Sequence, residues 1–236
     1  YNNGFIKTQM DAGANSWAVK GGNELLPRGM AGLLKREPLL NKDVVSVDDD
    51  GSRVEVRCAD GSVYRAGHVV SSVPLAVLRN IHFNNAFSGA QAEAVSNIAY
   101  QQVSTAFVTS SVPFWDVDGM APGMWTNGSL GTVMPQRFGA TDQEITGFLV
   151  QARGRLAQAW DRMGKEAALA HVVAKFEELR PAAKGKLTAH DLVSWGAEQY
   201  SGGAWAYLRP GEVTRIGPDI ALPLGRVHFC GEHTAT

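Results

Sequence analysis

The sequence predicts an α+β, or irregular α/β, fold, and three observations point there. Short runs with strand alternation are joined by two Asp-Gly turns, Asp50-Gly51 and Asp60-Gly61, and Asp-Gly tolerates the positive φ angles of tight hairpins. Segments with helical apolar spacing lie between other strands, most clearly "GKEAALAHVVAKFEELRP" (164–181). Strands and helices follow one another without regular βαβ alternation. The chain has 236 residues, 44% of them hydrophobic, enough for a sizeable core in one or two domains.

Taken in order, "GGNELLPRGMAGLL" (21–34) reads as a Gly-rich turn entering a helix, with Leu25, Leu26, Met30, Leu33 and Leu34 on its apolar side and Pro27 in its first turn, where a proline loses no backbone bond. In the hairpin region, Val54 and Val56 alternate with Glu55 and Arg57, giving one wet face. Val69 and Val70 read as a buried strand end, which Pro74 closes before a short helix. "GAQAEAVSNIA" reads as a helix, "VSTAFVTS" and "ITGFLVQ" as strands. In the helix after Gly164, Leu169, Val172, Val173, Phe176 and Leu179 form the apolar stripe, and Pro181 stops it. "RVHFCGEHTAT" (226–236) is a strand running into a glycine turn.

Composition excludes several classes of function. With 22 basic and 23 acidic residues and a net charge of -1, there is no basic excess or stripe for a nucleic acid. No apolar run reaches the ~18 residues of a membrane span, and no secretory signal opens the chain, so a cytoplasmic protein is expected. Tyr1 stands first in place of Met, so a fragment or processed product is expected. Cys58 and Cys230 lie far apart and read as two buried free thiols rather than a disulfide. Six histidines form no H-E-x-x-H or close Cys/His cluster, so no metal is expected. "VDDDG" (47–51) lacks the later Glu of a calcium loop and reads as a solvated hairpin tip.

Two stretches carry chemistry. "SWGAEQYSGGAWAYLRPG" (194–211) places Trp195, Tyr200, Trp205 and Tyr207 around Gly202-Gly203. Bare glycine backbone beside aromatic walls suits a planar ligand; a β-turn flanked by core aromatics is the alternative. In "HFCGEHTAT", the residues after Gly231-Glu232 would start a helix whose free N–H groups face an anion, capped by Thr234 or Thr236; an ordinary strand-to-helix turn is the alternative.

These two stretches, together with "GGNELLPRGMAGLL" and "HVVSSVPLAVLRNIHF", resemble the flavin-containing amine oxidases of the monoamine oxidase type in wording, order and spacing. The resemblance implies an FAD-binding domain contributed in part by residues 1–75 and 191–236, and a substrate-binding domain at 76–190 formed by a mixed sheet flanked by helices. It implies that Val44 touches adenine through its backbone, that Trp195, Tyr200, Gly202 and Gly203 lie at the flavin, and that Gly231 and Glu232 approach its phosphate-and-ribityl end. Trp205 would form one wall of an aromatic cage at the flavin face, orienting an amine for hydride transfer from its α-carbon, with O2 reoxidising the flavin and yielding hydrogen peroxide. Alternative substrates are an L-amino acid or a polyamine. An amino-acid carboxylate would need a cation, for which Arg137, Arg153 and Arg209 are candidates.

Departures from the family pattern carry equal weight. Ala204 stands where monoamine oxidases carry the flavin-bonding cysteine, so FAD is expected to be non-covalent. Thr105 stands where the family often has a lysine in the strand before "PFW"; threonine holds a water but supplies no cation. No Gly-x-Gly-x-x-Gly loop occurs, so the chain is expected to hold about half of an FAD site. Another copy or a complementary chain would then cover exposed apolar cleft walls, and a non-catalytic fragment that binds no FAD alone is the competing reading.

Overall fold

A computed structural model describes residues 19–234 other than residue 142. The fold is α+β, with two hydrophobic clusters. The first is built on a five-stranded sheet ordered β11-β7-β10-β9-β8, formed by β7 (Val103–Ser110), β8 (Met124–Trp125), β9 (Thr132–Gln136), β10 (Gly147–Arg153) and β11 (Leu187–Ser194). Every pairing within it is antiparallel. Parallel pairing occurs elsewhere, between β1 (Val44–Asp49) and β5 (His82–Phe83) and between β13 (Val227–Phe229) and β4 (Val69–Ser71).

Alternation along β10 decides which face is covered. Phe148, Val150 and Ala152 are buried, while Leu149, Gln151 and Arg153 are half-exposed, as a period of two requires when helices pack on one side only. The covering helices, which follow the short α4 (Phe114–Asp118), are α5 (Arg155–Met163) and α6 (Lys165–Leu179). Trp160 from α5 and Val172 and Phe176 from α6 pack on Ala106, Val108, Phe148 and Val150. Phe114, Phe148 and Phe176 form a mutual ring cluster with centroids 5.6–5.7 Å apart. On α6 the buried stripe is Ala168, Val172 and Phe176. Leu179, the last residue of the helix, is exposed, while Arg180 after it is buried and donates to Asp118.

The second cluster joins residues distant in sequence. The four-stranded sheet β3-β2-β1-β5 is completed by β2 (Val54–Cys58) and β3 (Val63–Ala66). Val47 and Val54 pack with Leu75 and Leu78 of α2 (Leu75–Leu78), with Ala94 and Val95 of α3 (Gly89–Asn97), and with Val227 and Phe229 of β13. The Asp-Gly turns form as expected, with positive φ at Gly51 and Gly61. Asp49 departs from a solvated hairpin tip: it is buried, and its carboxylate accepts the backbone N–H groups of Arg226 and Gly51, each at 2.8 Å. It thereby pins the approach to β13 onto the hairpin. Val70 is exposed, unlike Val69, because β4 pairs with β13 alone and turns one side outward.

Helix α1 (Leu25–Gly32) buries no residue; Leu25, Leu26, Met30, Leu33 and Leu34 are all exposed. Both cysteines are free, Cys58 buried and Cys230 half-buried. Among the described residues, no helix is long and apolar enough to cross a membrane, and no three metal-capable side chains converge.

Two outcomes test this packing. Phe148→Ala is expected to lower unfolding stability by about 3–5 kcal/mol, measured by urea titration; a loss below about 1 kcal/mol would remove Phe148 from the core's centre. The amides of Arg226 and Gly51 hold the Asp49 carboxyl below its ordinary pKa. Its contribution is therefore complete above the unfolded value of about 3.9 and lost as pH falls through the folded value. Asp49→Asn is expected to flatten the decline of stability between about pH 5 and pH 2; an unchanged slope would contradict this.

Candidate functional site

The short connection from β6 (Ala99–Tyr100) to β7 is where distant segments meet. Gln101 gives and takes backbone bonds with the Gly-Gly loop: its N–H donates to the Trp205 carbonyl at 2.8 Å, and its carbonyl accepts the Ala204 N–H at 2.9 Å. This extends the pairing of β6 with β12 (Ala206–Tyr207). One residue on, the Gln102 carbonyl accepts Gly154 N–H at 2.8 Å, and the Val103 carbonyl accepts Trp195 N–H at 2.9 Å. The turn after β13 joins from the other side, where Glu232 Oε1 accepts Ala206 N–H at 2.9 Å. Trp205, Trp195 and Glu232 are thus tied into one hydrogen-bonded region, with Gly202 and Gly203 in the same loop.

The two glycines are required by the chain's own packing. A Cβ on Gly203 would lie 2.5 Å from the Tyr100 Cβ, and one on Gly202 would lie 2.8 Å from the Ala76 Cβ. Gly202 also has φ +67, the left-handed region that glycine tolerates best. The loop therefore lies flat against β6 and α2. Tyr100 reinforces the joint, because its buried hydroxyl accepts Leu75 N–H at 3.0 Å and caps the start of α2.

Flat packing of the loop leaves its aromatics outward: Trp195 is 43% exposed, Tyr200 57% and Trp205 38%. Val44 and Tyr200 meet in a second place, a cleft of about 400 Å³ shared with Lys42, Val73, Pro74 and Val77. Gly231 begins the turn after β13, which continues as a 3-10 turn, Glu232–Thr234. The Thr234 hydroxyl donates to the Gly231 carbonyl at 2.8 Å, so it closes the turn instead of accepting an amide as an N-cap. Thr236 lies outside the described residues. His233 Nε2 is buried with no hydrogen-bond partner among the described residues, and burial pushes its pKa down, favouring the neutral ring. A buried ring nitrogen without a partner is costly and marks this turn as a place where a polar group is wanted.

Thr105 sits on the sheet face away from α5 and α6, between Val193 and Gln151 as its direct cross-strand neighbours. Two places along β10 from Gln151, Arg153 pairs opposite Val103 on the same face. Its Nε donates to Gln151 Oε1 at 2.8 Å, and its guanidinium lies over the Trp205 ring at 5.4 Å from the centroid. Thr105 and Val103 are buried on this face, and the contact of Arg153 with Trp205 connects it to the aromatic loop. Strand alternation in "ITGFLVQAR" puts Gln151 and Arg153 on one face; nothing in the spacing points to Tyr100 or Gln101 as the joint.

Gly203→Ala is expected to lower stability by about 1–3 kcal/mol through its clash with Tyr100, measured by urea titration. A neutral substitution would show that the loop does not lie against β6.

The model of the family described as flavin containing amine oxidoreductase matches residues 5–236. The chain is 27% identical over 225 residues to a flavin-containing amine oxidase of Danio rerio and 29% identical over 225 residues to flavin-containing amine oxidase B of Cavia porcellus. Each match covers 92% of this chain and 42% of the relative, so the chain spans less than half the length of these relatives. Among solved structures, a putrescine oxidase variant with redesigned cofactor binding superposes with TM-score 0.80 at 21% identity, covering 92% of this chain and 48% of that one. Cyclohexylamine oxidase from Brevibacterium oxydans IH-35A superposes with TM-score 0.69 at 17% identity, covering 84% of this chain and 44% of that one. With its sequence matched almost end to end by the family model, the chain belongs to the flavin-containing amine oxidoreductases.

Proposed function

We propose that the protein oxidises an amine to an imine with non-covalent FAD, this chain contributing the substrate-facing part and a portion of the FAD site. The observation that carries this reading is the convergence of Trp205, Trp195 and the Glu232 turn through the Gln101 N–H, the Val103 carbonyl and the Ala206 N–H, segments that family membership associates with a flavin. The residues present fit such a group. Exposed indole and phenol surfaces offer apolar walls with polar tips, and His233 presents a ring nitrogen that has no partner of its own. When bound, FAD supplies the acceptor for hydride from the amine's α-carbon and passes the electrons to O2, giving hydrogen peroxide.

The chain's own residues hold and orient. Val44 is assigned to adenine, in the cleft it shares with Tyr200. Trp195, Tyr200, Gly202 and Gly203 are assigned to the flavin side, and Gly231 and Glu232 to its phosphate-and-ribityl end. Trp205 is assigned as a wall that excludes water and fixes the amine's approach, effects that work by orientation. Thr105, among Gln151 and Val193, is assigned to hold a water. We divide the chain at 1–75, 76–190 and 191–236 into FAD-binding, substrate-binding and FAD-binding segments; helix α2 and Tyr100 form the joint, packing with Val47 and Val227. The exposed apolar side of α1 is assigned to a complementary segment supplying the rest of the FAD site, in keeping with a chain that spans 42% of its relatives.

Full-length protein is expected to gain about 2.7 kcal/mol of stability with FAD at about 100 times its Kd, and to release the flavin on heat denaturation because Ala204 has no nucleophile. Trp205→Ala is expected to lower kcat/KM on the order of 10-fold or more while weakening flavin binding less. A colourless protein indifferent to FAD would refute the oxidase reading, and unchanged kcat/KM would remove Trp205 from the site.

A further inference from the structure

We propose that Arg153 is an anion-recognition residue at the Trp205 wall, and that the amine taken here also carries a carboxylate. The amine half of this inference rests on the function proposed above; the anion half rests on the side chain itself.

Among the described residues, two arginines lie over aromatic rings, and their other contacts differ. Arg180 lies over Phe114 with its guanidinium carbon 4.8 Å from the centroid, and it is buried. Its donors are taken: Nε and Nη2 donate to the two Asp118 oxygens at 2.7 and 2.8 Å, and Nη1 donates to the Ala121 carbonyl at 2.8 Å. It is a structural arginine, satisfied by the fold. Arg153 has the same kind of ring contact, at 5.4 Å from the Trp205 centroid, but only Nε is occupied, by Gln151 Oε1. Among the described residues it has no carboxylate partner. Glu232, the acid tied to the backbone beside Trp205, spends one oxygen on Ala206 N–H.

These two contacts hold a planar cation at the end of β10 with the N–H groups of both terminal nitrogens uncommitted. That is the fork geometry that takes a carboxylate through two parallel hydrogen bonds. Half-exposure leaves Arg153 reachable while lowering its hydration. Its charge also acts on choice of substrate. A fixed guanidinium beside the wall that orients the amine repels a second ammonium, so a diamine is disfavoured. A carboxylate is attracted, and the contact between the cation and the wall favours one carried close to the amine nitrogen. An α-amino acid has that spacing.

The test uses full-length, FAD-loaded protein and two readouts. L-Phenylalanine and 2-phenylethylamine differ by the carboxylate alone, and 3-phenylpropanoate reports anion binding without turnover, followed by calorimetry. Arg153→Gln is expected to weaken 3-phenylpropanoate about 10- to 100-fold, and to lower the kcat/KM ratio of phenylalanine to phenylethylamine by a similar factor. Arg153→Lys, which keeps the charge and loses the fork, is expected to fall between. Equal 3-phenylpropanoate binding by wild type and both variants, or an equal loss for both substrates, would overturn the proposal. Arg153-dependent binding of 3-phenylpropanoate without oxidation of any amine would support the anion site while refuting the oxidase reading. Oxidation of amines indifferent to Arg153 would do the reverse.

Discussion

The backbone of Gln101 is the contact on which the candidate site depends. Its N–H and carbonyl are both committed to the loop carrying Trp205 and Ala204, while its neighbours commit theirs to Trp195 and Gly154. Gly154, Trp195 and the Ala204–Trp205 stretch therefore share one short connection. Backbone hydrogen bonds leave little rotational freedom, so the direction in which Trp205 points follows from where β6 ends and β7 begins. Glycine at 202 and 203 permits that approach, and the Tyr100 hydroxyl holds α2 against the same point.

From this joint the two hydrophobic clusters take different roles. The helix-covered sheet is a rigid platform: Phe114, Phe148 and Phe176 lock one face, and the Ser104 hydroxyl donates to Asp161 at 2.7 Å, tying β7 to α5. Its other face is left with Thr105, Phe107, Gln151 and Arg153. The second cluster brings the hairpin, α2, α3 and β13 together, with Asp49 fastening the approach to β13. Arg153 over Trp205 is a side-chain contact between the platform's other face and the aromatic loop. Sites built this way on strands hold their geometry better than sites built on loops alone.

Much of the fold was legible in the sequence, and for local reasons. Asp-Gly pairs announce hairpins because few residues accept their φ angles, and the long helix before Pro181 announces itself by period. The motif stretches around Gly202 and Gly231 carried the family, and the family match agrees. What stayed hidden depends on distant partners. Val70 and Leu179 look buried by pattern but are exposed, Val70 on the outward side of β4 and Leu179 at the end of its helix. Asp49 looks solvated but is buried, because its partner Arg226 lies at the other end of the chain. The glycine pair reads as room for a ligand; what the sequence does not announce is a packing reason for it, since Tyr100 and Ala76 leave no space for side chains there. Among three candidate arginines, only the register of β10 against β7 and the path of the Gly-Gly loop single out Arg153.

The most direct measurement is a crystal structure of the full-length protein with FAD. The isoalloxazine is expected within about 4 Å of the Trp205 indole, with the Glu232–Thr234 turn along the ribityl and phosphate chain and a hydrogen bond reaching His233 Nε2. A flavin bound elsewhere, or Trp205 enclosed by protein on both faces, would contradict the assignment of this site.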